Sequence, residues 1–578
     1  MIDSSCPGRP RRRLALVSVL LLMLVVSVSG TSGTAQPARA AAAAYVTING
    51  AGSTWSQNAL DSWRRDVVQF GMTVNYAGTG SSDGRNQFRS GTVDFAASDI
   101  PYGIKDGNNL DEPPSDTHPF AYIPVTAGGT TFMYNLKVGN RRVTNLRLSG
   151  STVAEIFTGG ITMWNDPAIA ADNPGLRLPA IRVVPVVRSE GSGSTAQFTQ
   201  WLLATQGAVW REYCAAARRD PCTQTSVFPV VPGRGMVAQA GDLGVAGYVA
   251  QPQAVGAIGY VQYSYAIQAG FPVAKMLNQA GYYTEPTPGH VAVSLLKAKI
   301  NMNKNDPRVY LTQDLSQVYV NDDPRTYPLS GYSYMILPVS LNNPMTLAKG
   351  ETLADFGKHA LCQGQTKVNA LGYSALPINL VQAGFEQLRK IPGANVGNIS
   401  IQSCHNPTFS TDGTNTLAKN DPMPPACDKR GPTQCATGTA GAKDEDTPVR
   451  DDGRDGGGGD PSADPTDGPS GNPSGGPSGG PGGGTPDPGS NPETDVACDP
   501  DSADCGVGGG VGNGGDPNVL AQPVSAEADL GNGFRFALMA LAGVLLIGIG
   551  LGPPLIAQAG ARRRQRESDG GPLPGARP

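Results

Sequence analysis

Short apolar runs alternate with helical patterns between residues 45 and 435, where we expect the folded part of the chain. Three times an apolar run passes through a glycine-rich turn into an amphipathic stretch. These are VTIN through GAGST into WSQNALDSWRRDVVQF, TVNYAG through TGSSDG into RNQFRSG, and RVVPVVR through SEGSGS into TAQFTQWLLA. Strands that alternate with helices in this way are typical of α/β domains with parallel strands, and the region is long enough for two lobes.

The first 40 residues have the pattern of a secretory signal peptide. Several arginines precede an apolar run at residues 14–28, and Ala38-Arg39-Ala40 matches the A-x-A cleavage pattern. We expect residues 1–40 to be removed, because the apolar run is shorter than the ~20 residues that a membrane span needs. An uncleaved anchor helix is the alternative.

The last part of the chain changes composition twice. Residues 436–533 are rich in Gly, Pro, Asp and Ser, and we expect a disordered linker because such a stretch lacks the apolar area that folding needs. Residues 534–560 are almost uncharged and precede a basic tail at residues 561–578, a pattern that predicts one transmembrane helix with the tail in the cytoplasm. The alternative is a buried core helix. The folded domain is then expected on the extracytoplasmic face of a bacterial membrane, anchored near its C-terminus.

Disulfide bonds are expected because the predicted signal peptide directs the chain to an oxidising compartment. The sequence has nine cysteines, and Cys6 lies in the predicted signal peptide. Cysteines that are close in sequence suggest three pairs, and the two that remain form a fourth. The expected pairs are Cys214 with Cys222, Cys427 with Cys435, Cys498 with Cys505, and Cys362 with Cys404. A zinc site that uses His405 is the alternative, but no CxxC spacing accompanies that histidine.

The charge balance gives no sign of a nucleic-acid partner. The formal net charge is -4, and no basic stripe with interleaved aromatic residues occurs outside the predicted membrane flank.

Each of the three turns places glycines and hydroxyl residues where a strand is followed by a helix. The first backbone N–H groups of a helix lack partners, and the helix dipole adds partial positive charge there. An anion can bind at such a position, with Ser and Thr hydroxyls as further donors. Ordinary helix caps are the alternative for any one turn. If the three turns converge on one cleft, they form an oxyanion site built mainly from neutral donors.

Two ionisable residues fit such a site. Arg188 ends the run VVPVVR, and its guanidinium can bind two oxygens of a tetrahedral anion. Asp99 ends TVDFAASD and can accept a hydrogen bond from an anion that still carries a proton, as phosphate does at neutral pH, while repelling fully ionised sulfate. The alternatives are a salt bridge at the rim for Arg188 and a surface or capping role for Asp99.

The sequence around these residues resembles the phosphate-binding proteins of the Pst phosphate importer. The matching segments are GAGSTW (50–55), VNYAGTGSSDG (74–84), GTVDFAASD (91–99), LSGSTVAEIFTGGITMWNDPAI (148–169), VVRSEGSGST (186–195) and AVGAIGYVQYSYA (254–266). The resemblance implies a two-lobed periplasmic-binding-protein fold of α/β class with a ligand cleft between the lobes. We expect a phosphate-binding domain at residues 41–435, with lobe I at about 45–125 plus 326–435 and lobe II at about 126–325.

The resemblance also implies the ligand contacts. In the first lobe they are Thr54, the backbone N–H of Trp55, Ser81 and Asp99; in the second lobe they are Arg188, Ser192, the backbone N–H of Gly193, and Ser194. Trp55 stands where the family often has Phe, and Ser194 stands where Thr is common. Trp164, in the matching segment at 148–169, is expected to pack in the core or between the lobes.

The expected function is capture of inorganic phosphate for the permease subunits of an ABC-type importer, with no cofactor, no metal and no catalytic residue. A surface-anchored phosphate sensor or adhesin is the alternative, and arsenate is not distinguished from phosphate by this reasoning. A serine hydrolase is disfavoured: Gly80-Ser81-Ser82-Asp83-Gly84 matches G-x-S-x-G, but no histidine lies in a recognisable partner motif.

Overall fold

A computed structural model of the protein describes residues 45–106, 109–397, 404–410 and 412–450. The predicted signal peptide, the transmembrane helix, the basic tail and the Cys498–Cys505 pair lie outside these residues, as does the part of the predicted linker after residue 450. Among the described residues, no helix combines the length and apolar character needed to cross a bilayer.

The described residues form seventeen strands and thirteen helices. The strands are β1 Ile48–Gly52, β2 Val74–Gly78, β3 Phe95–Ser98, β4 Lys105–Asp106, β5 Asn109–Leu110, β6 Phe120–Tyr134, β7 Lys137–Val138, β8 Arg141–Arg142, β9 Arg147–Leu148, β10 Val184–Arg188, β11 Val237–Gln239, β12 Ala257–Gln262, β13 Lys275–Leu277, β14 Tyr283–Thr284, β15 Lys299–Ile300, β16 Gln313–Asp314 and β17 Ser330–Pro338. The helices are α1 Gln57–Val67, α2 Ser81–Arg89, α3 Gly150–Thr158, α4 Pro167–Asp172, α5 Gly193–Thr205, α6 Gly207–Ala216, α7 Gly241–Val249, α8 Tyr263–Gln268, α9 Pro288–Leu295, α10 Leu347–Leu361, α11 Gln365–Val368, α12 Ile378–Leu388 and α13 Thr416–Asn420.

The three predicted strand, turn and helix units are confirmed. They are β1 with α1, β2 with α2, and β10 with α5. β1 pairs in parallel with β2 and β3 in the first lobe, and β10 pairs in parallel with β11 and β12 in the second lobe. Parallel strands bring their carboxyl ends, and therefore the turns that follow them, to one edge of each sheet.

Two long strands connect the lobes. The eight-stranded sheet has the order β11-β10-β12-β6-β17-β3-β1-β2. β6 pairs antiparallel with β17 along residues 120–129 and with β12 along residues 130–134, so its two halves belong to different lobes. The expected two-lobed α/β fold with connecting strands is confirmed.

Buried aromatic residues fill the core beside these sheets. Trp164 is fully buried, donates from Nε1 to the carbonyl of Gly256 at 2.9 Å and lies near Tyr134, so it packs in the core as expected. Three of the predicted disulfide bonds are present: Cys214–Cys222, Cys362–Cys404 and Cys427–Cys435. Because Cys404, next to His405, is in the Cys362–Cys404 disulfide, its thiol is not free to bind zinc.

The C-terminal segment, residues 404–450, corrects the predicted boundaries. The predicted linker began at residue 436, yet residues 436–450 pack on the second lobe through Thr144, whose N–H and hydroxyl bond Thr447 Oγ1 and the carbonyl of Glu445. The composition of this segment carries no apolar pattern, yet hydrogen bonds to Thr144 and the burial of Ala440 and Ala442 hold it in place.

The same segment changes the division into lobes. Residues 326–435 were expected in the first lobe, but Lys429 forms a β-bridge with Tyr282, and Arg147 Nη1 donates to the carbonyl of Cys427 at 3.1 Å. Lys275 forms an ion pair with Asp428 at 2.7 Å. Residues 427–450 therefore belong with the second lobe.

Candidate anion-binding site

The turn between β1 and α1 provides the first group of site residues. Thr54 is 5% exposed, and its hydroxyl donates to Asp242 Oδ2 at 2.6 Å and accepts from Arg188 Nη2 at 2.6 Å. Trp55 packs its ring against Gly128 and donates from Nε1 to Thr130 Oγ1 at 3.1 Å. The indole is thus held in the interior, on the first-lobe side of the cleft.

The turn between β2 and α2 depends on a glycine. Gly80 has φ +95°, a conformation that favours glycine, and a β-carbon there would lie 2.9 Å from both Glu190 Cγ and the carbonyl oxygen of Gly191. The missing side chain allows the two lobes to approach each other. Ser81 begins α2, and its hydroxyl donates to Asp99 Oδ2 at 3.1 Å.

Asp99 follows β3 directly and lies beneath three hydroxyl donors. Its Oδ1 accepts from Ser53 Oγ at 2.7 Å and Ser333 Oγ at 2.8 Å, and its Oδ2 accepts from Ser81. Burial raises the pKa of Asp99 to about 6, and the charge of Asp242 adds to the rise, while the hydroxyl donors oppose it. The carboxylate is therefore ionised at neutral pH but titrates close to that range.

Arg188 ends β10 and is 1% exposed. Nη1 pairs with Asp242 Oδ2 at 2.7 Å, and Nη2 pairs with Glu190 Oε1 and donates to Thr54 Oγ1. Burial acts to lower the pKa of Arg188, but the carboxylates of Asp242 and Glu190 outweigh it and raise that pKa above its ordinary value. Arg188 is thus a permanent cation that two carboxylates hold in place.

The N-terminus of α5 supplies residues 192–194. Ser192 caps the helix by accepting from the Thr195 N–H at 3.3 Å, and Ser194 Oγ lies 3.5 Å from Arg188 Nη1. A β-carbon on Gly193 would lie 2.6 Å from Asp99 Oδ2 and from the Ser81 hydroxyl oxygen. The glycine therefore lets the N-terminal turn of α5 reach the acceptor group of the other lobe.

The structure brings all eight predicted residues to one place between the lobes. Three further groups were not predicted. Asp242, at the start of α7, is fully buried and fixes Arg188, Glu190 is a second partner of that arginine, and Ser53 and Ser333 hold Asp99. Glu190 and Ser53 lie inside the matched segments, so the sequence could have indicated them as site residues. Asp242 gave no such signal, because an acidic residue is common in the first turn of a helix.

Direct hydrogen bonds join the lobes around this site. Gln197 Nε2 donates to the carbonyl of Asp99 at 2.8 Å, and Tyr265 OH donates to the carbonyl of Thr54 at 2.6 Å. The N–H of Ser82 donates to the carbonyl of Gly191 at 3.0 Å. The cleft is therefore closed. The hydroxyl of Ser82 lies 3.2 Å from Ser226 Oγ and not beside a histidine, contrary to what a hydrolase nucleophile requires.

The arrangement is suited to holding an oxyanion. Hydroxyls, helix N-termini and one guanidinium supply donors, and Asp99 supplies one acceptor. With Asp99, Asp242 and Glu190 against Arg188, the ionised side chains sum to two negative charges. Binding of an anion must therefore rely on directed hydrogen bonds more than on net charge. Among the described residues no group of His, Cys, Asp and Glu is placed to hold a metal ion.

Comparisons with known proteins gave a family model, several relatives and several solved structures. Residues 37–361 match the family model described as a PBP superfamily domain. The chain is 30% identical over 339 residues to the phosphate-binding protein PstS of Xylella fastidiosa, covering 58% of this chain and 83% of that relative. It is 30% identical over 336 residues to the phosphate-binding protein PstS of Haemophilus influenzae, covering 58% of this chain and 90% of that relative. The X-ray structure of a human phosphate binding apolipoprotein superposes with a TM-score of 0.46 at 20% identity, covering 61% of this chain and 98% of that one.

Proposed function

The chain belongs to the PBP superfamily and, within it, to the PstS family of phosphate-binding proteins, and from this premise we propose that it captures inorganic phosphate for an ABC-type phosphate importer. It acts by binding and release, with no covalent step. The observation that carries the proposal is that Asp99 and Arg188, one from each lobe, both lie buried in the same site.

Each group has a role that its chemistry supports. Arg188 binds phosphate oxygens by charge-assisted hydrogen bonds, and the hydroxyl of Ser194 donates a further bond. The hydroxyls of Thr54 and Ser81 donate to phosphate by turning away from Asp242 and Asp99, the acceptors that they have in this structure. The N–H groups of Trp55, Gly193 and the first turn of α5 complete the donor set, with Ser192 shaping that turn. Asp99 accepts a hydrogen bond from the proton that phosphate retains, a bond that sulfate cannot make.

Closure of the lobes couples binding to delivery. The contacts between the lobes, such as Gln197 with Asp99 and Tyr265 with Thr54, exist only when the cleft is closed. Phosphate favours this state because it bonds to both lobes at once. The permease subunits then recognise the pair of lobes in the closed geometry.

The location of the protein follows from the predicted ends of the chain. We infer export by the signal peptide at residues 1–40 and attachment by the helix at residues 534–560, with the intervening linker as a tether. The three disulfide bonds support an extracytoplasmic position, since such bonds persist in oxidising compartments.

Calorimetry of the purified protein with phosphate and sulfate tests the proposal. We expect tight 1:1 binding of phosphate and sulfate binding weaker by at least about 100-fold, because Asp99 repels an anion without a proton. Equal binding of the two anions, or no heat with phosphate, would refute the proposed function.

A further inference from the structure

A second cavity lies away from the cleft, where the C-terminal segment meets the second lobe. Its volume is about 780 Å³, and it shares no lining residue with the anion-binding site. One wall comes from the N-terminus of α9 and from β13 and β14, and the other from Pro407 and from residues within 416–428 and 437–438; Asn369 also lines the cavity. The second wall lies beyond residues 37–361, the range of the family match, so this cavity depends on the part of the chain that the family match does not cover.

The cavity lining has an excess of negative charge. Glu285, Asp421 and Asp428 line it together with one permanent cation, Lys275. Asp428 is fully paired with Lys275, at 2.7 and 2.9 Å. Glu285 Oε2 accepts from Tyr263 OH at 2.7 Å and from a backbone N–H at 3.0 Å. Two of the three carboxylates thus have partners.

Asp421 differs from the other two. Its side chain is 8% exposed, and Oδ2 accepts no hydrogen bond from any described residue. The neighbouring Arg325 donates to the main-chain carbonyl of Asp421 at 3.1 Å, but its side chain pairs with Asp323. A buried carboxylate oxygen without a donor is costly, so a donor is expected to reach it.

The neighbour that faces this oxygen is His290, with Nε2 at 3.8 Å from Asp421 Oδ2. The other ring nitrogen, Nδ1, lies 2.8 Å from the carbonyl oxygen of Glu285. A carbonyl oxygen only accepts, so Nδ1 carries the hydrogen, and Nε2 of the neutral ring is an acceptor too. Two acceptors therefore face each other across a gap that lacks a donor.

We propose that this cavity binds a small organic cation whose ammonium group donates to both Asp421 Oδ2 and His290 Nε2. Part of the wall suits an aliphatic body, because Leu417, Met423 and several prolines line it beside polar residues; the prolines are Pro288, Pro407, Pro422, Pro424 and Pro425. A bare metal ion would leave this apolar surface uncovered. The site is independent of the phosphate site and does not rest on the proposed function.

Calorimetry of the intact protein at neutral pH with 1,4-diaminobutane tests the proposal, with 1,4-butanediol as the uncharged analogue. We expect the diamine to bind and the diol not to bind. Asp421→Asn should weaken diamine binding by at least tenfold, because it removes the charge that faces the ammonium group. Glu445→Gln is the matched control: Glu445 lies in the same segment, pairs with Arg142 outside the cavity, and should have no effect.

Circular dichroism and thermal unfolding of each variant show whether the fold is intact. Nuclear magnetic resonance of His290 in the unchanged protein gives a second readout: the diamine should shift the ring signals of that histidine, because the bound ammonium donates to Nε2, and the diol should not. Three results would overturn the proposal: no binding of the diamine, equal losses in the Asp421 and Glu445 variants, or a His290 ring already protonated at neutral pH, which would itself supply the missing donor.

Discussion

The two halves of the anion-binding site use opposite electrostatics. In the first lobe Asp99 is an acceptor that is surrounded by uncharged hydroxyls, and burial raises its pKa. In the second lobe a cation, Arg188, is held between Asp242 and Glu190, which raise its pKa. The first lobe therefore contains the group that can gain or lose a proton near neutral pH, and the second contains the fixed charge.

This difference separates affinity from selectivity. The fixed cation with its positioned donors binds any tetrahedral oxyanion, while the titratable acceptor distinguishes an anion that carries a proton from one that does not. Changes in the second lobe should thus alter affinity for all anions, and changes in the first lobe should alter the preference among them.

The largest effect is expected for Arg188→Ala. The change removes the cation and leaves Asp242 and Glu190 buried without their partner, so phosphate affinity should fall by about 100-fold or more. Calorimetry checks this, with Arg141→Ala, an exposed arginine of β8, as the control. Near-normal phosphate affinity would remove Arg188 from the site.

Asp99→Asn should weaken the preference for phosphate over sulfate. An amide can donate to sulfate and no longer repels it, so the affinity ratio of phosphate to sulfate should fall by about 30-fold, which is about 2 kcal/mol. Competition of sulfate against phosphate measures the ratio. If sulfate competes equally well in both proteins, the acceptor role of Asp99 is wrong.

Acid should produce a milder form of the same change. As pH falls through about 6, Asp99 takes up a proton and becomes neutral, while sulfate keeps both charges. Sulfate should therefore bind about tenfold more tightly at pH 5 than at pH 7.5 in the unchanged protein. Titrations at the two pH values check this, and the pH dependence should be absent in Asp99→Asn.

Asp242→Asn probes the group that positions Arg188. The main-chain N–H of Gln262 can still donate to the side-chain oxygen, but the new amide group faces Arg188 Nη1, which is also a donor. Affinity for phosphate should fall by about tenfold while the ratio to sulfate stays unchanged. A changed ratio would show that the two halves are not separable in this way.

The smallest effect is expected for Ser53→Ala. Asp99 loses one of three hydroxyl donors to its ionised form, so its pKa should rise further and the pH at which sulfate binding strengthens should move upward. Phosphate affinity at neutral pH should change by about threefold or less. Ser90→Ala, an exposed serine at the end of α2, is the matched control.

Sequence reasoning reached the site because its residues lie in short local units. Arg188 ends a strand, while Thr54, Ser81 and residues 192–194 lie between a strand and a helix or begin that helix, and parallel strands bring such turns to one edge. The conformation of such a turn depends mainly on its own residues, so its sequence predicts where its hydroxyl and N–H groups lie. The same logic placed Asp99 at the end of β3.

Other parts depended on contacts that are distant in sequence. Ser333 reaches Asp99 from the middle of β17, 234 positions away, and nothing in the alternation of that strand distinguishes it from a core serine. Residues 436–450 fold although their composition resembles a linker, because they bond to residues that are distant in sequence, such as Thr144 and Val273. The packing of the Cys427–Cys435 disulfide on the second lobe could not be predicted either, because it depends on a distant partner, Arg147.

The attachment of residues 436–450 determines where a pull on this segment would act. Thr144 bonds Thr447 and Glu445, and the N–H of Arg450 donates to the carbonyl of Gly175 at 3.0 Å, so these bonds to the second lobe would take the load first. Behind them lies the Cys427–Cys435 disulfide, where Arg147 donates to the carbonyls of Cys427 and Thr433. Neither connecting strand, β6 or β17, lies on this path, so a load on the segment would not act on the hinge directly.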